Sequence, residues 1–164
     1  MLKKLHIQHY AIIRELEIDF SDGMVIITGE TGAGKSILMG ALGMALGDRA
    51  DASAMRSKES KTIIEAVFQN KDVSGLEEIF EANELDMEHD IILRREIQVS
   101  GKSRSFVNDT PVSLSVLSQV AEKLVDLHQL AVGHEDAVLG LERADDAPGV
   151  ARQDGSRSSG VLRR

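Results

Sequence analysis

The chain contains no cysteine, which excludes disulfides and thiolate metal sites and agrees with a reducing compartment. No apolar run approaches the ~18 residues that a membrane-spanning helix needs. Nor does Met1-Leu-Lys-Lys lead into the apolar core of a signal peptide, because a strand pattern follows at once. The expected location is the cytoplasm, with no membrane partner. An excess of positive charge is missing as well: the 164 residues carry a formal net charge of −8. Any contact with nucleic acid would have to use a local basic patch.

What is present is ordinary globular material, 42% hydrophobic and 28% charged, in a length that suits one domain or part of a larger one. Within it lies one exceptional stretch. Gly29 to Ser36 reads GETGAGKS and fits the phosphate-loop pattern G-x-x-x-x-G-K-[ST] at every fixed position. Gly29, Gly32 and Gly34 allow backbone conformations and close approaches that a Cβ would block, so successive N–H groups can face one anion. Lys35 offers a point charge to the β- and γ-phosphates of a nucleotide such as ATP. Ser36 offers a hydroxyl to Mg²⁺, and the helix that starts here turns its positive end to the same oxygens. Glu30, Thr31 and Ala33 complete the loop. The apolar run Met24 to Thr28 before it and the helical pattern Ile37 to Leu46 after it supply the strand–loop–helix setting the motif requires.

In chain order, Leu2 to Gln8 and Ile13 to Phe20 are expected strands, the second alternating Leu16, Ile18 and Phe20 with Glu15, Glu17 and Asp19. After the loop, Leu38, Leu42, Ala45 and Leu46 form one core-facing stripe, with Met39 and Met44 filling gaps. Thr62 to Gln69 is a strand, and Ser74 to Leu85 a short acidic amphipathic helix. Asp90 to Val99 and Ser103 to Val107 read as a hairpin joined at Ser100-Gly-Lys102. Asn108 to Pro111 is a turn, and Leu114, Leu117, Val120, Ala121 and Leu124 make a second helical stripe. Beyond Leu130, residues 131–164 hold no aromatic and no lysine, and small or polar residues dominate. The expected division is therefore an ordered domain at 1–130 and a disordered tail at 131–164.

Several of these stretches together resemble a known family. LHIQHYAIIRELEIDF, GMVIITGETGAGKSILMGALGMALGDRA, MRSKESKTIIEAVF, ILRREI and SGKSRSFVNDTPVSLSVLSQVAEKLVDLH are similar to the RecN family, bacterial DNA-repair ATPases of the SMC-like, ABC type. The likeness runs from residue 1 to about residue 128. It implies an α/β fold, the N-terminal lobe of an ABC/SMC-type P-loop NTPase head with antiparallel β elements before and after the phosphate loop. It further implies ATP with Mg²⁺ as ligands, a role in recombinational repair of DNA double-strand breaks, and a second head as partner in a homodimer. By the same resemblance, Lys35 and Ser36 contact phosphate and Mg²⁺, and Arg56 lies near nucleotide and DNA. His128-Gln129-Leu-Ala-Val-Gly departs from the family's spacing, which puts the role of Gln129 in doubt. Coiled-coil heptads, the ABC signature loop and an apolar run ending in an Asp-Glu pair are not found, so the expectation is a truncated or frame-shifted fragment with little ATP turnover and no assignable catalytic residue.

Other groups carry weaker chemistry. Arg94, Arg95, Lys102 and Arg104 give an acidic protein one basic hairpin, read either as strand faces paired with nearby carboxylates or as a contact for the DNA backbone. His6 and His9, three residues apart on a strand, point to different faces and make a poor metal pair. His128, His134, Glu135 and Asp136 cluster in sequence, mostly in the stretch expected to be disordered. Two other function classes remain open: a self-sufficient P-loop kinase of a small molecule, and a non-catalytic product that only pairs with a complete head.

Overall fold

The computed structural model describes residues 1–21, 25–27, 33–49, 60–69, 74–125, 130–132 and 137–139. Nine strands and three helices lie among them: β1 (Leu2–Tyr10), β2 (Ile13–Asp19), β3 (Val25–Ile27), α1 (Ala33–Leu46), β4 (Thr62–Gln69), α2 (Leu76–Ala82), β5 (Asp90–Ile97), β6 (Ser103–Val107), β7 (Thr110–Val112), α3 (Leu114–Leu124), β8 (Leu130–Val132) and β9 (Ala137–Leu139). Six strands pair antiparallel in the order β2-β1-β4-β5-β6-β7, and a separate sheet has the order β3-β9-β8. The mixed α/β class and the antiparallel elements on both sides of the phosphate loop are as the sequence implies.

Strict alternation gives the large sheet two unlike faces. One residue row crosses it through Leu16, Ile7, Ile64, Arg95, Ser105 and Val112, and faces the core. The row beside it, on the opposite face, runs through Glu17, His6, Glu65, Arg94 and Phe106. α1 packs on β4 and β5 through Ala41, Leu42, Met44, Ala45 and Leu46, all buried. Leu76 and Phe80 of α2, and Leu117, Val120, Ala121 and Leu124 of α3, close the same core.

The helix ends are made by backbone chemistry that fixes where α1 stops. Gly47 takes φ +115°; its amide donates to Met44 O at 3.3 Å and that of Asp48 to Gly43 O at 2.9 Å. These are the two bonds of a Schellman end, and glycine is the residue that adopts the required backbone without a Cβ penalty. At the other end of the sheet, the buried Thr62 hydroxyl donates to His9 O at 2.7 Å, tying β4 to the turn after β1.

Two local expectations are corrected. The turn after β6 is only Asn108-Asp109, and Thr110 to Val112 pair back on β6 as an edge strand. Pro111 is tolerated there because its missing N–H removes no ladder bond on an outer edge. Leu114, expected in the buried stripe of α3, is 37% exposed, since it opens the helix beyond the elements that cover Leu117. Two further short strands, β8 and β9, pair with each other, and β9 pairs with β3.

Candidate functional site

β3 ends at Ile27 and α1 begins at Ala33, so the phosphate-loop pattern falls where a strand gives way to a helix. Gly29, Glu30, Thr31 and Gly32 lie outside the described residues. Gly34, Lys35 and Ser36 form the first turn of α1, which holds no acidic side chain. The positive end of the helix is thus not neutralised from within. Lys35 is half-buried and Ser36 exposed. A Cβ built on Gly34 would meet nothing within 4 Å, so the approach to the helix end is open on that side. By contrast, α2 places Glu77 and Glu78 in its first turn and offers no comparable anion site.

The rigidity of that helix end comes from what lies behind it. A Cβ on Gly40 would stand 2.8 Å from the Tyr10 hydroxyl, so glycine lets α1 settle closely against the end of β1. With its C-terminus closed at Gly47 and its inner stripe on β4 and β5, α1 holds its first turn in a fixed place. Residues able to accept phosphate and Mg²⁺ fit here: first-turn amides, an ammonium and a hydroxyl. Arg56 and Gln129 lie outside the described residues, as do His128, His134, Glu135 and Asp136. Among the described residues, no cluster of three or more His, Asp or Glu side chains could hold a metal ion.

The basic hairpin separates into three different environments. Arg94 sits on the polar face of the sheet, its guanidinium carbon 4.4 Å from the centre of the Phe106 ring. Its guanidinium lies 3.6 Å from Glu65, 3.7 Å from Glu96 and 3.7 Å from Asp109. Its charge is therefore largely met by carboxylates. Lys102 and Arg104 are exposed at the hairpin's turn end. Arg95 points the other way, into the core, with 2% of its surface exposed. Burial draws its pKa down from the ordinary arginine value, because a charged group loses water without gaining a carboxylate.

Reading the four cations as one patch missed this inversion. The signal was present in the strand IILRREI: Ile91, Leu93, Arg95 and Ile97 share the period-2 face, and all four are buried. The other missed feature is the start of α3, where the Ser113 hydroxyl accepts the amide of Val116 at 3.2 Å and caps the helix. Ser113 and Leu114 border a cavity of about 520 Å³ that Arg95, Ser103 and Ser105 also line.

Comparison with known proteins adds three findings. A family described as AAA domain matches residues 4–130. The DNA repair protein RecN of Vibrio cholerae is 44% identical over 128 residues, which is 78% of this chain and 23% of that protein; RecN of Haemophilus influenzae is 41% identical over 131 residues, 78% of this chain and 24% of that protein. A structure solved in work on ATP-driven dimerization and DNA-stimulated activation of SMC ATPases aligns at TM-score 0.56 and 20% identity, covering 74% of this chain and 78% of that one. The last likeness concerns the fold. The chain spans about a quarter of the length of the curated relatives it matches.

Proposed function

From the premise that the chain belongs to the AAA domain family and is RecN-like, we propose that it is the ATP-binding lobe of a protein acting in recombinational repair of DNA double-strand breaks. Membership implies nucleotide binding; the choice of ATP with Mg²⁺ rests on the GETGAGKS segment and on the helix end that carries its last residues. The single supporting observation is the first turn of α1, which presents Lys35 and Ser36 on an amino end free of acidic side chains.

In this reading the Lys35 ammonium binds the β- and γ-phosphates as a compact charge, and the first-turn amides orient them. The Ser36 hydroxyl, exposed beside it, is a ligand for Mg²⁺. When bound, that ion neutralises negative charge on the phosphates and so favours their transfer to water. The motif assigns Gly29, Glu30, Thr31, Gly32, Ala33 and Gly34 to the phosphate cradle, and the family resemblance assigns Arg56 to the nucleotide. Residues 1–130 are taken as the lobe, and 131–164 as a tail outside the family likeness. Hydrolysis would draw on a second lobe and a second head, as charge on a transferring phosphoryl group must be met from several sides. The place of action is the cytoplasm. Among the described residues no helix is long and apolar enough to cross a membrane.

A self-sufficient kinase is not favoured, because the relatives found are DNA repair proteins. Calorimetric titration of the 164-residue chain with ATP and Mg²⁺ tests the proposal. Saturable binding that Lys35→Ala removes supports it. Binding that survives Lys35→Ala unchanged would refute the assignment of the site.

A further inference from the structure

The core-facing row of the large sheet is apolar from Leu16 to Ile64 and then meets a guanidinium. Arg95 Nη2 donates to Ser103 Oγ at 2.7 Å, whereas Nε and Nη1 are buried and have no acceptor among the described residues. A guanidinium carries five N–H donors and stays charged at neutral pH. An isolated buried cation is costly, so a group in this state calls for an anion.

The start of α3, which lines the same cavity, has the same polarity. Ser113 and Leu114 begin α3 and border the same cavity of about 520 Å³. The first-turn amides of a helix have no intrahelical acceptor and carry the positive end of its dipole. Ser113 caps only the amide of Val116, and the first turn of α3 has no acidic residue. Ser105 adds a hydroxyl on the face it shares with Arg95, and no carboxylate is among the lining residues.

We propose that this cavity binds a phosphate group, seated between the Arg95 guanidinium and the amino end of α3. Donors come from both a sheet strand and a helix end, which suits a tetrahedral group with several oxygens better than a flat carboxylate. The volume leaves room for a small organic substituent, so the source is either inorganic phosphate or a small phosphate monoester. None of the lining residues belongs to Gly29–Ser36, and the site is a second one.

The test uses the whole chain carrying Lys35→Ala, which removes the competing loop, and follows amide and Arg Nε–H signals by nuclear magnetic resonance. Inorganic phosphate, glycerol 3-phosphate and acetate are titrated separately. The expected result is a saturable shift of Arg95 Nε–H together with the Leu114 and Ser115 amides, with affinity falling about tenfold or more in Arg95→Met. Tighter binding of the monoester identifies an organic phosphate as the source, and weaker binding identifies the inorganic ion. Acetate acting as strongly as phosphate, or no saturation by about 20 mM of either phosphate, overturns the proposal. Should Arg95→Met not fold, the Arg95 Nε–H signal of the Lys35→Ala chain decides alone.

Discussion

Replacing Arg95 by Met should stabilise the chain in phosphate-free buffer, although the substitution deletes a buried hydrogen bond. Met keeps an unbranched stem of similar length and joins Leu93 and Ile97 on the inner face of β5. The loss is the bond to Ser103 Oγ at 2.7 Å, about 1 kcal/mol or somewhat more because the donor is charged. The gain is relief of a charge whose Nε and Nη1 lack acceptors among the described residues, on the order of 2–4 kcal/mol for a desolvated, unmet ionic group. The balance is a gain of about 1–2 kcal/mol, read as a rise in the midpoint of urea unfolding at constant slope. Because burial lowers the folded-state pKa of Arg95, the penalty on its charged form persists at every pH below that value and fades only as pH rises through it. The advantage of Arg95→Met should therefore be flat between about pH 6 and 8, where arginine is charged in both states. Phosphate at about 100 times the parent's dissociation constant should add about 2.7 kcal/mol to the parent but only about 1.4 kcal/mol to a variant that binds tenfold more weakly, so that the variant's advantage is largely cancelled. A variant less stable than the parent by about 1 kcal/mol without phosphate would refute the reasoning, since it would mean that the guanidinium is already satisfied.

Three further outcomes follow from particular positions. Gly47→Ala should cost about 2–3 kcal/mol by chemical denaturation, since it joins a left-handed backbone at φ +115° to a Cβ that would collide with Ser118. Glu84 stands at φ 54° just after the end of α2, and Glu84→Gly should raise stability by about 0.5 kcal/mol, the strain relieved being partly offset by unfolded-state entropy. If the hairpin meets the DNA backbone, Lys102→Glu with Arg104→Glu should lower the slope of log affinity against log salt by about 1.8; an unchanged slope would exclude those two cations from the contact.

Much of the site was legible along the chain because its information is local. Eight consecutive residues, GETGAGKS, specify glycine freedom, a cation and a hydroxyl at fixed spacing, and the apolar runs on either side announce a strand and a helix. The polar and apolar faces of β2, β4 and β5 could also be read, since a strand's period of two is written in its own residues. Where reading by pattern failed, the deciding partner lay far away in sequence. Thr110 to Val112 look like part of a turn until β6 offers them an edge. Leu114 belongs to an apolar stripe, yet no element reaches far enough to cover it.

The two arginines side by side on β5 state the division most plainly. Residue types and alternation determined by themselves that this chain carries a phosphate-loop pattern between a strand and a helix and that Arg94 and Arg95 must face opposite ways. Only the tertiary structure decided which face became the core: Arg94 met Glu65 and Glu96 on the polar side, and Arg95 was enclosed beside the start of α3 with two nitrogens unmet among the described residues. The reason is that charge follows from identity, whereas its environment follows from packing between segments that the chain brings together only on folding.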